Sequence, residues 1–246
     1  MKILVGISKT PDTTSKISFV NDGVKYNEEG ITFIMNPYDE WYALVKAIEI
    51  KEKSGGSVTV INVGDGSNDI VIRKALAIGA DDAIRVDANP VSSEFVARQI
   101  AHVAKQNGYD LIFVGKETID YNGSEVGPMV AELLDYDYFA FVSDLHIDGQ
   151  VKTVSREIEG GVEIIKTSNP AVISAAKGLA EQRIPNMQGI MMSKRKPLEV
   201  VAPVAVSEKV KLKVHTLPEP KKGVKLVDAG NMEELVRLLH EEAKAI

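Results

Sequence analysis

The chain has 246 residues, 44% hydrophobic and 26% charged, with a formal net charge of −6 and no cysteine. Such a length buries a large core as one domain, or as one domain with an extension, and the composition is that of a globular protein. The acidic balance supplies no footprint for nucleic acid, the missing thiols exclude disulfides and thiolate metal sites, and no apolar run of about 18 residues is present to span a membrane.

At the amino terminus, MKILVGIS is too short in its apolar part for a signal peptide and reads as a first strand over residues 3–7. A cytoplasmic location in a bacterium is the expectation, or the mitochondrial matrix in a eukaryote. A helix over 37–53 comes next, with Asn36 as its N-cap, Pro37 at the first helical position, and Asp39 and Glu40 in the first turn, where the helix dipole favours negative charge. Residues 57–63, 83–86 and 110–114 are β-branched runs suited to strands buried on both faces. Between them lie helices at 69–78, closed by Gly79, and at 92–106, opened by Ser92 or Ser93 with Phe95, Val96, Ile100 and Val103 as its apolar stripe. This βαβαβ series implies right-handed crossovers and a doubly wound parallel sheet of the Rossmann-like kind. Ligands in such sheets bind at the carboxyl ends of strands near the reversal of strand order, which selects the loops after Ile7, Val63 and Val114.

In the third of these loops, Gly115 ends the strand and Asn122-Gly123-Ser124 offers backbone amides and a cap residue to a helix over 125–134. A helix start fronted by Gly and Ser suits an anion, most often phosphate, and a plain cap and turn is the competing account. Gly64-Asp65-Gly66 lacks the third glycine of the dinucleotide fingerprint, that position being Asp69, so no nicotinamide site is expected. His102, His146, His215 and His240 lack metal-ligand spacing, Asp81-Asp82 and Asp135/Asp137 read as solvated turns, and no catalytic constellation emerges.

From Val154 to Ser174 the sequence VSREIEGGVEIIKTSNPAVIS reads as a hairpin turning at Gly160-Gly161 and feeding a core strand after Pro170. Met187, Met191 and Met192 then cluster in a segment of Gln, Asn, Gly and Pro; they suit either an adaptable docking surface or local packing under a loop. The basic SKRKP at 193–197 and the stiff Pro218-Glu219-Pro220-Lys221-Lys222-Gly223 lead to a last helix capped by Asn231, with Glu234 in capping-box register and Leu235, Leu238 and Leu239 on one face. An extended arm ending in an amphipathic helix needs a surface to lie against, its own domain or a partner.

Val154, Arg156, Glu159, Gly160, Gly161, Glu163, Pro170, Val172 and Ile173 together resemble the diagnostic segment of electron-transfer flavoprotein β subunits. The resemblance covers nearly the whole chain and implies a carrier subunit without catalytic residues of its own. It implies AMP in a structural role, bound by two matching loops. One is Asn36-Pro37 with Tyr38 and Asp39; the other is Gly115-Lys116-Glu117-Thr118-Ile119-Asp120, continued by Tyr121, Asn122, Gly123, Ser124, Glu125 and Val126. Ile7 and Val63 would face the adenine, main-chain groups of Ile7 and the Asn36 segment would read it, and residues 122–126 would hold the phosphate.

A partner-recognition loop is implied at about 179–192, with Arg183, Ile184, Met187, Ile190 and Met191 as its docking residues. Here Gln182-Arg183-Ile184 replaces the usual Pro-Arg-Tyr and Met187-Gln188 replaces Leu-Pro, which puts the identity of the dehydrogenase in doubt. Thr13 stands where relatives often carry an aromatic near the flavin, and Glu157 would touch the mobile flavin domain. The implied organisation is an AMP-binding domain over 1–192, with a hairpin insertion at about 139–168, and an arm over 193–246 lying on the α subunit. The implied function is the β subunit of a heterodimer passing electrons from acyl-CoA or related dehydrogenases, through FAD held mainly by the α subunit, to a quinone reductase or similar acceptor. Two alternatives are a bifurcating relative with a second FAD in the AMP site and a homodimeric ATP-binding stress-type protein.

Overall fold

Val, Ile and Leu runs too apolar to face water on either side form the middle of a nine-stranded sheet. The structure, a computed structural model, describes residues 1–220 and 223–246; Lys221-Lys222 of the proline-rich stretch lie outside the described residues. In chain order, β1 (Lys2–Gly6) precedes two small ribbons, β2 (Lys9–Pro11) paired with β5 (Phe33–Met35), and β3 (Phe19–Val20) paired with β4 (Lys25–Tyr26). There follow α1 (Asp39–Ser54), β6 (Ser57–Val63), a 3-10 turn (Gly66–Asn68), α2 (Asp69–Ile78), β7 (Asp82–Val86), α3 (Ser93–Asn107), β8 (Leu111–Gly115) and α4 (Val126–Leu134). The second half holds β9 (Asp137–Asp148), β10 (Val151–Ile158), β11 (Gly161–Thr167), β12 (Ala171–Ala175), α5 (Met187–Ser193), β13 (Leu198–Val201) and α6 (Met232–Arg237), which runs into a π turn (Leu238–Glu242).

The sheet order is β11-β10-β9-β12-β8-β1-β6-β7-β13. Strands from β9 to β13 along this order run parallel, and β10 and β11 close one side as an antiparallel pair. β1 leads to β6 on one side and sits against β8 on the other, so the order reverses at β1/β8. Alternate residues divide the core between two faces, as the period of a strand requires. Ile3, Val5, Val58, Val60 and Phe113 pack with Leu44 and Ile48 of α1 and Ile72 and Leu76 of α2, while Leu4, Ile61, Ile112 and Val114 pack with Ile100 of α3 and Val130 of α4.

The residues 139–168, read from the sequence as a hairpin insertion, are continuous with this sheet. β9 pairs in parallel with β12 along one edge and antiparallel with β10 along the other. A bulge on β9 puts Phe141 at φ 56°, with its amide donating to Ser174 Oγ at 3.0 Å. At the far edge, β13 joins β7, and Gln99 of α3 holds the chain beyond it by donating to the Val204 carbonyl at 2.9 Å and accepting from the Val204 amide at 2.8 Å. Gly79 closes α2 as expected, at φ 152°, where a Cβ would stand 2.9 Å from Ile48 Cδ1.

Candidate nucleotide site and docking crest

The reversal of strand order at β1/β8 brings together the carboxyl ends of β1, β6 and β8 and the start of α1. Asn36 does not cap α1, and Pro37 is not its first residue. The helix opens at Asp39 after Tyr38, which has φ 65° and makes no side-chain cap. Asn36 is instead fully buried and spans to the loop after β8. Its Nδ2 donates to the Glu117 carbonyl at 3.0 Å, and its Oδ1 accepts from the Ile119 amide at 3.0 Å. A buried carboxamide with both ends satisfied is a structural clamp, which is why it was unavailable as a cap.

Glu40 makes the second clamp. It is buried, and it accepts from the Ser8 amide at 2.6 Å and the Ser8 hydroxyl at 2.7 Å. Burial pushes its carboxyl up to about 8, against the pull of the two Ser8 hydrogen bonds and with help from the charges of Asp120 and Asp39. Asp39, half buried, is pushed up to about 6 by burial, with Lys116 opposing and Glu117 adding to the rise. Gly115 is required beside them, because a Cβ there would stand 2.8 Å from Glu40 Cγ.

A third set of bonds ties β6 to β1. Asn62 Nδ2 donates to the Ile7 carbonyl at 2.8 Å, and Asn68 Nδ2 donates to Asn62 Oδ1 at 2.8 Å. Gly64 lies so close to this ladder that a Cβ would stand 1.9 Å from Asn68 Nδ2, so its glycine serves packing rather than a dinucleotide fingerprint. Val63 is paired in register with Val86 and is buried. The Ile7 amide donates to the Ile61 carbonyl at 3.0 Å. The Asn36 amide donates to the Ser8 carbonyl at 3.0 Å, so the amides of Ile7 and Asn36 are both engaged.

The loop after β8 differs. Lys116 donates its amide to Ala175 O at 3.2 Å and lies 3.3 Å from the Glu117 carboxylate; Asn122 donates to the Thr118 carbonyl at 2.9 Å, and Tyr121 to Asp120 Oδ1 at 3.0 Å. Asn122 and Ser124 take φ 50° and 54°, and Glu125 then returns to right-handed backbone before α4 opens at Val126. The expected cap from Ser124 is not made. Among the described residues, the amides of Gly123, Ser124, Glu125 and Val126 have no hydrogen-bond acceptor. Left-handed backbone followed by right-handed backbone at a helix start gathers successive amides into an anion-binding concavity.

The methionine segment forms the short helix α5, whose Asn186 cap accepts from the Gly189 amide at 2.7 Å. Ile184, Met187 and Met191 are 86%, 74% and 68% exposed, with Ile190 and Met192 beside them, so these methionines do not pack under a loop. Arg183 is turned inward: its guanidinium forks onto the Glu52 carboxylate at 2.8 and 2.9 Å. Glu157 is exposed on β10, opposite Val162 of β11. Thr13 is exposed, as are His102 and His146. Asp81 is no idle turn residue, since it accepts from the Val58 amide and Lys51 Nζ at 2.9 Å each. Trp41, which the sequence reading did not single out, donates Nε1 to the Arg183 carbonyl at 3.1 Å; being the only tryptophan in the chain was its one signal.

Comparison with known proteins agrees with this arrangement. A family model described as the electron transfer flavoprotein domain matches residues 23–206. The chain is 36% identical to the electron transfer flavoprotein subunit beta of Bacillus subtilis over 260 residues, covering 100% of both chains. It is 38% identical to the subunit beta of Syntrophomonas wolfei, covering 93% of this chain and 90% of the relative. For the human subunit beta the identity is 32%, covering 98% and 97%. The chain belongs to the electron transfer flavoprotein subunit beta family.

Proposed function

We propose that this chain is the β half of a heterodimeric electron carrier and binds AMP at the β1/β8 edge. The observation that carries the reading is the row of unengaged amides from Gly123 to Val126 at the start of α4. They suit the phosphate, with Lys116 as the nearby cation, while Asn122 and Ser124 offer side-chain polar groups and exposed Tyr38 and Tyr121 offer aromatic faces at the rim. Ile7, Val63, Asn36, Pro37, Asp39 and Gly115 lie at the strand ends and loop starts that would frame the nucleotide. Glu40, pushed up to about 8, keeps its proton at neutral pH, which limits its repulsion of an anion.

FAD, held mainly by an α subunit, supplies the redox chemistry when bound, and this chain contributes a wall and the flavin-domain contact at Glu157. The crest of Ile184, Met187, Ile190 and Met191 docks in an apolar pocket on an acyl-CoA or related dehydrogenase, the electron donor, and a quinone reductase or similar protein takes the electrons onward. Residues 193–204 belong to this chain's own body, with β13 in the sheet and Val204 held by Gln99, and the arm beyond Val204 lies on the α subunit. Nucleotide analysis of the purified heterodimer tests the reading, with one FAD and one AMP per dimer as the expected content. Two FAD and no AMP would mean a bifurcating carrier, and an ATP-bound homodimer without flavin would reject the assignment.

A further inference from the structure

The crest stands on two anchors, one at each end. On the amino-terminal side, Trp41 of α1 donates to the Arg183 carbonyl, and the Arg183 guanidinium grips Glu52, with Glu49 at 3.8 Å. Lys74 Nζ of α2 lies over the Trp41 ring, 4.5 Å from its centre, so the indole is held at its edge by the Arg183 carbonyl and on its face by a cation. On the carboxyl-terminal side, Arg73 donates to the carbonyls of Ser193 and Lys196 at 2.7 Å each, and Lys196 Nζ donates to Leu76 O at 2.8 Å. Gly189 approaches α2 so closely that a Cβ would stand 2.4 Å from Ala77 O.

Exposed apolar side chains gain more from docking when the main chain beneath them is already ordered, because less entropy is lost on binding. The Arg183 carbonyl belongs to the same planar peptide unit as the Ile184 amide, so a bond to that oxygen orients the unit from which Ile184 projects.

We propose that Trp41 is a positioning residue for partner docking: with the Arg183–Glu52 fork it fixes the peptide plane that aims Ile184, and so presets the crest for an apolar pocket on the electron donor. The proposal rests on the reading of the crest as a docking surface. Trp41→Phe keeps a ring beside Lys74 but removes the N–H donor together with the second ring of the indole; Glu52→Gln weakens the fork without touching the indole, and so separates loss of the anchor from loss of packing.

In the intact heterodimer, amide hydrogen exchange over 183–192 is expected to quicken about fivefold to tenfold in Trp41→Phe and less in Glu52→Gln. With a butyryl-CoA-reduced acyl-CoA dehydrogenase as donor, KM is expected to rise about threefold to tenfold while kcat stays within about twofold, the split that marks lost docking rather than lost chemistry. Unchanged exchange in both variants overturns the positioning role whatever the crest binds. Faster exchange with unchanged KM overturns it as well, and leaves docking intact if Met187→Asp raises KM. If Met187→Asp leaves KM unchanged, the docking reading falls and takes this inference with it.

Discussion

Asp39 and Glu40 are neighbours in the first turn of α1, and burial keeps protons on both beyond the usual carboxylate range, up to about 6 and about 8. Each binds its proton more tightly folded than unfolded. Their contribution to stability is therefore fully present below the ordinary carboxylate pKa and is lost as pH rises through those values. Unfolding free energy should fall across this range by up to about 1.4 kcal/mol per pH unit for each proton involved. Glu40→Gln removes the Glu40 share while keeping hydrogen bonds to Ser8, since the amide oxygen accepts from the Ser8 amide and the amide nitrogen donates to the hydroxyl. Urea titrations between about pH 6 and pH 8 should then show a flatter dependence for the variant. A dependence as steep as that of the wild type would mean that Glu40 ionises normally.

Individual residues were legible in kind more often than in role. The sequence marks Asn36 as polar, before a proline and at the start of a helix, which is the signature of a cap. Its partners, Glu117 and Ile119, lie far along the chain, and no local pattern announces them. Gly64 shows the same limit. A glycine in a GDG string suggests a phosphate turn, whereas its need for a bare Cα comes from Asn68 packed against it.

Among the elements, the long periodic ones follow the sequence within a residue or two at most ends, because nine or more residues are enough to show a stripe. α5, at seven residues, is too short for a period to show, and its Pro185 and Gly189 argue locally for a loop. It forms because Asn186 caps it and α2 supports it. Asn186→Ala should therefore cost about 1 kcal/mol locally, measurable as about fivefold faster amide exchange over 187–193 with little change in the global unfolding midpoint. A midpoint lowered in step with that exchange would mean that α5 unfolds only with the whole domain. β13 escaped notice for a related reason: four residues after Pro197 are too few to show an alternation, even with Val200 and Val201 among them, and pairing with the free edge of β7 is what orders them.

At the scale of the whole molecule, the meeting of the carboxyl ends of β1, β6 and β8 was readable because topology places them. A βαβ series fixes which strand ends meet, whatever their side chains do. The arm was readable only as an extended segment of mixed polarity. Beyond Val204 it touches the body at a few points. The Ser92 hydroxyl donates to Glu208 at 2.7 Å, and the His215 amide donates to Gly23 O at 2.8 Å while its ring stacks on Phe19 at 4.7 Å. Val210, Leu212, Val214, Val224 and Leu226 remain exposed along it. Ending the chain after Ser207 retains β13 and the Gln99–Val204 bonds, so the body should unfold cooperatively near the wild-type midpoint. Its affinity for the α subunit should fall by roughly 100-fold, read by size exclusion at micromolar dilution. A truncated chain that still assembles at that concentration would assign the main interface to the body.

Gln99 grips both main-chain groups of Val204, so the last forty or so residues leave the body from a fixed root. A strand tethered at its root sweeps a bounded volume, and one foothold at its tip raises the local concentration of every remaining contact to the millimolar range. Many individually weak touches would then release only in concert, and the two halves of such a carrier would part slowly even where no single bond is strong.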